Sequence, residues 1–208
     1  MVVDRRQLMA LGASAALCGL APSYGYAAGG SAPAVADNGL FTQNWFLESF
    51  LELGDDLAAA AAQGKHLAVL IEQRGCPYCR EMHRVNFAKT SIRSYITKNF
   101  DVIQMDMWGS RKVTDFDGKE LSEKALVQRW KVIFTPTMVF FPNKLSEVKG
   151  KVGGAAAIAM MPGYFKPYHF LSMLEFVHEG HYKTQNFQRF IQAKFKALEA
   201  QGKKPKIW

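Results

Sequence analysis

The eight residues HLAVLIEQ, 66–73, are apolar almost without a break. A strand exposed on one face would alternate, so this run predicts a short strand buried on both faces. Before it, Asp55-Asp56, Leu57, the alanines to Ala62 and then Gly64 predict a short helix with acids at its start and glycine past its end. After it, Pro77 suits a first helical turn, where a missing N–H leaves nothing unpaired, and this puts Cys76 at a helix N-terminus. A helix from about Ile92 to Lys98 leads into FDVIQMDMW, 100–108, whose alternation predicts a strand. Asp117-Gly118 marks a turn between short extended pieces, and Leu121, Ala125, Leu126 and Trp130 share a face of the next predicted helix. TPTMVFF, 135–141, reads as a strand that begins at a proline, and a final strand is expected near Ala156 to Met161 within the glycine- and methionine-rich stretch 142–163. Pro167 opens a helix with Phe170, Leu171, Leu174 and Val177 on one face; Phe187, Phe190, Ile191, Phe195 and Leu198 mark another, and both stripes are expected to face the core. The predicted class is α/β, a central mixed β-sheet with helices on both faces and an extra C-terminal helix.

The first 27 residues do not fit that pattern: a basic start, an apolar stretch of 14 residues from Leu8 to Ala21, and small residues around Ala27. The stretch is shorter than the roughly 20 residues of a membrane span and has the layout of a cleaved export signal. Arg5-Arg6 resembles a twin-arginine signal, with a plain secretory signal as the alternative. Export places the mature protein in the periplasm. Cys18 lies within the signal and follows Leu17, where a lipoprotein signal wants a small residue, so it is expected to be discarded. Residues 28–39 read as a flexible leader, 40–183 as the folded domain and 184–208 as a C-terminal helix and basic tail. The net charge of +8 becomes +7 after processing, with 24 basic residues facing 17 acidic ones. The basic side chains are scattered apart from Lys203, Lys204 and Lys206, a pattern that argues against nucleic-acid binding.

Processing leaves Cys76 and Cys79 as the only cysteines, spaced Cys-Pro-Tyr-Cys. Thiolate is the attacking form, and a helix N-terminus favours the anion, so Cys76 is the expected exposed nucleophile and Cys79, one turn on, the resolving thiol. Other readings of the pair are weaker. Cys76, Cys79 and His83 lack a convincing fourth ligand for zinc, covalent haem would need a histidine where Arg80 stands, and a staple closing so short a loop constrains little chain entropy. No metal or other cofactor is expected.

Cys76-Pro77-Tyr78-Cys79 after a buried strand, with Phe134-Thr135-Pro136-Thr137 before another, resembles the two signatures of thioredoxin-like oxidoreductases, and the predicted element order is that of the thioredoxin fold. The fuller pattern CPYCREMH with MPGYFKPYHFLSMLEFV is similar to periplasmic thioredoxins of the SoxW type, associated with bacterial sulfur oxidation. The resemblance implies that Pro136 is a cis-proline facing the dithiol, and that Thr135, Pro77 and Tyr78 contact an extended substrate segment. Many thioredoxins carry a buried acid six residues before the first cysteine, where this chain has Leu70. Glu72, on the same strand face, is either a substitute proton acceptor for Cys79 or an exposed strand-end glutamate. His83, four residues after Cys79, is either a packing residue or a proton shuttle.

The function this implies is an exported, monomeric thiol–disulfide oxidoreductase that reduces disulfides of periplasmic partner proteins. Its implied electron donor is a membrane thiol relay of the CcdA or DsbD kind, and its implied client is the cysteine-bearing sulfur carrier SoxYZ. A disulfide oxidase or isomerase would use the same residues, and a non-enzymatic metal or thiol-carrier chaperone is a third reading.

Overall fold

The computed structural model describes residues 33–203. The stretch read as an export signal, with Cys18, the first part of the expected leader, and Lys204 and Lys206 lie outside the described residues. Strand β1 (His66–Glu72) is buried at every position and occupies an inner place in a four-stranded sheet. It pairs in parallel with β2 (Phe100–Asp106) and antiparallel with β5 (Thr137–Phe140), which pairs antiparallel with β6 (Ala159–Pro162). Two further short strands, β3 (Lys112–Thr114) and β4 (Glu120–Ser122), form a separate hairpin around Asp117-Gly118. The expected mixed sheet and its order are therefore present.

Alternate residues of β1 serve two cores. Leu67, Val69 and Ile71 pack with Leu53 and Leu57 of helix α1 (Leu53–Ala62) and with Leu126 of α4 (Glu123–Arg129). Ala68 and Leu70 pack with Met82, Phe87, Ile92 of α3 (Thr90–Asn99) and Phe170 of α7 (Pro167–His178). Helix α2 (Pro77–Glu81) runs on into a π-helical segment, Met82–Phe87.

Three expectations need correction. Leu121 belongs to β4, because Ser122 caps α4 by accepting from Ala125 N at 3.3 Å and so begins the helix after it. In 142–163 two one-turn helices, α5 (Leu145–Val148) and α6 (Gly153–Ala156), precede a strand that starts only at Ala159. Gly153 and Gly154 let α6 lie against Trp130: a Cβ on Gly154 would sit 2.9 Å from Trp130 Cα. The stripe on α8 (Phe187–Ala200) buries only Phe190 fully, since the helix packs through its first turns, where Phe187 and Phe190 each lie 5.5 Å from Phe176. Within residues 33–39, Val35 bridges Phe41 and Ala36 N donates to Leu40 O at 2.9 Å.

A buried carboxylate joins the peripheral pieces. Asp115 Oδ1 accepts from Phe116 N and Gly153 N, both at 2.9 Å, and Oδ2 accepts from Trp130 Nε1 and Arg129 Nη1, both at 3.1 Å. It therefore ties the hairpin, the end of α4 and the start of α6. Removing it strands three buried N–H donors, while Arg129 keeps its pair with Asp117. Asp115→Ala is expected to lower unfolding free energy by about 3 kcal/mol, measured by urea denaturation; a change within the range of an ordinary surface substitution would contradict this reading.

Candidate active site

Sheet topology brings four loops to one end. The carboxyl ends of β1, β2 and β6 and the start of β5 share that end because β1 runs parallel to β2 and antiparallel to β5, and β6 reverses again. After β1 the chain turns through Gly75, whose φ of 71° is in the left-handed region that glycine enters without steric cost. That turn delivers Cys76 as the N-cap of α2, with Pro77 in its first turn. Cys76 and Cys79 are joined by a disulfide, with Cα atoms 5.2 Å apart. Cys79 N donates to Cys76 Sγ at 3.1 Å, a bond that would favour the Cys76 thiolate once the disulfide is reduced.

Cys79 is fully buried, and Cys76 retains only 4 % exposure. Cys76 is thus less open than an exposed nucleophile, because the segment before β5 lies over it. Thr135 Oγ1 donates to Cys76 Sγ at 3.5 Å, and Thr135 O lies 3.6 Å from the same sulfur. The Thr135–Pro136 peptide is cis. Pro136 O accepts from Gly163 N at 2.7 Å, while the N–H of Thr135 donates to no described residue. Tyr78 is exposed and stacks on Tyr164 with ring centroids 6.5 Å apart and planes at 13°. Burial, helped by nearby Glu81, raises the Tyr164 phenol above its ordinary value, so it stays protonated at neutral pH.

Glu72 is not an exposed strand-end residue: it is 1 % exposed. Its side chain takes the β1 face it shares with Leu70, under α2 and the π-helical segment, where solvent is excluded. Its Oε2 accepts from Gln104 Nε2 at 2.5 Å and pairs with His83 Nε2 at 3.1 Å, whereas Oε1 is buried with no partner among the described residues. His83 Nδ1 faces Gln43 Nε2 at 3.1 Å. Since an amide nitrogen can only donate, Nδ1 accepts and the hydrogen sits on Nε2, directed at Glu72. His83 is buried among the rings of Phe41, Phe46 and Phe87, so it is a packing residue and a hydrogen-bonding one at once. Gln43 and Gln104 had no signal in the sequence beyond a polar residue interrupting the apolar alternation of β2.

The sequence profile of the thioredoxin-like domain matches residues 53–178. This chain belongs to that family. No curated protein matches it. Among solved structures it is similar to a thioredoxin-fold protein from Helicobacter pylori at 25% identity and a TM-score of 0.48, covering 69% of this chain and 94% of that one. It is also similar to a thioredoxin from Thermus thermophilus at 21% identity and a TM-score of 0.44, covering 60% and 82% respectively. A third similar structure is the oxidoreductase DsbH, at 13% identity and a TM-score of 0.43, covering 74% of this chain and 96% of that one.

The matched thioredoxin-like region begins at Leu53, so the segment that encloses His83 lies before it. Leu47 N donates to Val102 O at 2.8 Å, docking that segment along the outer edge of β2, and Gln104 Nε2 also donates to Phe41 O at 2.6 Å. In the thioredoxin-like domain itself the difference between the two sulfurs has a consequence. Near pH 6 an ordinary thiol of pKa about 8.5 is almost wholly protonated. In the reduced protein an alkylating reagent is expected to label Cys76 well ahead of Cys79, followed by mass spectrometry of the modified peptides; Cys79 labelling first would contradict the assignment of the nucleophile.

Proposed function

We propose that the protein is an exported thiol–disulfide oxidoreductase that reduces disulfides of periplasmic proteins. The observation that carries this reading is the Cys76–Cys79 pair set beside the N–H of Thr135, which has no partner among the described residues. A redox-active dithiol and an open backbone donor for an extended client chain lie side by side. The export signal read in residues 1–27 and the similarity of the cysteine motif to SoxW-type thioredoxins support the compartment and the reducing direction, with the sulfur carrier SoxYZ as the implied client.

In the reaction, the Cys76 thiolate attacks one sulfur of the client disulfide. A Cys76–client disulfide forms, the client bond breaks, and the departing client cysteine leaves as a thiolate that takes up a proton. Cys79 then loses its proton and attacks Cys76 Sγ. The Cys76–Cys79 bond forms and the second client cysteine is released as a thiolate. Two electrons pass from the protein dithiol to the client disulfide, and a membrane dithiol relay of the CcdA or DsbD kind restores the dithiol by the same exchange.

The proton of Cys79 needs a buried acceptor. Glu72 supplies an oxygen without a partner among the described residues, and His83, one helical turn after Cys79, ties that carboxyl group to Gln43 at the wall of a cleft also lined by Asn44 and Arg84. Glu72 therefore accepts the proton during resolution, while His83 and Gln104 hold its other oxygen in place.

Cys79→Ser is expected to accumulate mixed disulfides with periplasmic proteins, resolved on non-reducing gels, whereas Cys76→Ser traps none; the opposite result would reverse the mechanism. Glu72→Gln is expected to slow resolution at pH 7 by roughly tenfold or more while sparing the first attack, with the defect shrinking as pH rises and Cys79 ionises unaided. Rapid-quench measurement of the two steps reads this directly, and equal rates in variant and parent would leave Glu72 with a structural role alone.

A further inference from the structure

The disulfide is surrounded by large apolar side chains that face solvent. Tyr78 stands between the cysteines, Trp108 follows β2, and Ile133 and Phe134 precede Thr135; all four are exposed. Such a cluster on one face is the mark of an interaction surface. Its parts are held. Trp108 N donates to Asp106 Oδ1 at 2.9 Å, its indole Nε1 donates to Gln73 Oε1 at 2.8 Å, and Lys124 Nζ lies 5.3 Å over its ring. The loop beneath is anchored by buried Glu123, which accepts from Asp106 N at 3.0 Å and Arg111 N at 3.2 Å. On the other side, Ile133 and Phe134, with Val132, Met160 and Pro162, line a cavity of about 220 Å³ whose one charged wall is Lys131.

The exposed charges of this face are of one sign. Arg80 follows Cys79, Lys124 covers Trp108 and Lys131 borders the cavity. None of the three pairs with a carboxylate among the described residues. The acids of the neighbouring elements do not offset them: Glu72, Asp106 and Glu123 are buried, and Glu81 is engaged by Arg84 at 2.9 Å.

We infer that this face docks an extended client segment that carries carboxylates beside its reactive cysteine and one large apolar side chain two positions from it. The inference rests on the oxidoreductase reading and names the class of client. In an extended chain, side chains two positions apart point the same way. With the client backbone paired to Thr135 N–H, its cysteine faces Cys76 while the apolar side chain enters the cavity beside Phe134. Flanking carboxylates then meet Arg80 and Lys131. Like charge at those places would be repelled, so the rim selects as well as attracts.

The test separates docking from chemistry. Three short peptides with serine in place of cysteine are titrated into the oxidised protein: one with glutamates and a leucine two positions from the serine, one with lysines for the glutamates, and one with glycine for the leucine. Binding is read from the Trp108 indole N–H signal, assigned by its loss in Trp108→Phe. The acidic leucine peptide is expected to bind at least about tenfold more tightly than the lysine peptide at low salt, with the gap closing near ~1 M salt. Glycine for leucine weakens binding by about tenfold, and Arg80→Glu combined with Lys131→Glu reverses the charge preference. Equal binding of acidic and basic peptides, or an unchanged order in the charge-reversed variant, overturns the inference. So does binding to vesicles of phosphatidylserine without binding to the acidic peptide. The cysteine forms of the peptides, supplied as mixed disulfides, are then offered to the reduced protein. An acidic peptide that binds but is not reduced overturns the oxidoreductase reading alone, and reduction without charge preference overturns the docking alone.

Discussion

Burial of β1 on both faces is the constraint from which the rest of the structure follows. A strand with no solvated side must lie inside the sheet with helices above and below, and its neighbours are then fixed by pairing, β2 in parallel and β5 antiparallel. That arrangement carries the carboxyl end of β1 to the same place as the start of β5. Cys76 and Thr135, 59 residues apart in sequence, consequently touch. The site is therefore a property of the sheet's order before it is a property of any loop.

Buried carboxyl groups mark where the chain departs from simple apolar packing, and their surroundings differ in an informative way. Asp115 and Glu123 have both oxygens occupied by donors that pin loops and helix ends. Glu72 has one oxygen held and one without a described partner. A buried polar atom left unpaired is costly. That unpaired oxygen sets Glu72 apart from Asp115 and Glu123, whose oxygens all hold structure in place.

The enclosure of that group also shows how a segment before the matched domain becomes part of it. Phe41, Gln43 and Phe46 close over His83, and Gln43 sets which ring nitrogen carries the hydrogen. The thioredoxin-like core thus supplies the dithiol and the open backbone donor, while the added segment isolates the acid and histidine from bulk water. The surroundings of His83 and Glu72 are in this way set partly by residues that the family match does not include.

Much of this was legible in the chain. Apolar runs locate β1, β2 and β5, proline and glycine mark the turns, and Cys-Pro-Tyr-Cys with Thr-Pro names the chemistry, because these depend on local periodicity and on residue types with distinct backbone behaviour. The α6 turn and the late start of β6 were not legible, since what decides them is the close approach of Gly153 and Gly154 to Trp130 from elsewhere in the chain. Glu72 could be read either way from its position at a strand end. Only packing of the π-helical segment and of residues 41–46 over it decided for burial, and only β1–β2 register, Leu70 opposite Gln104, put an amide within reach of its carboxyl. Burial and hydrogen-bond partners across such separations are sums over the whole fold. Sequence determines which residue types are available to the site; tertiary packing decides which of them meet, and in what dielectric.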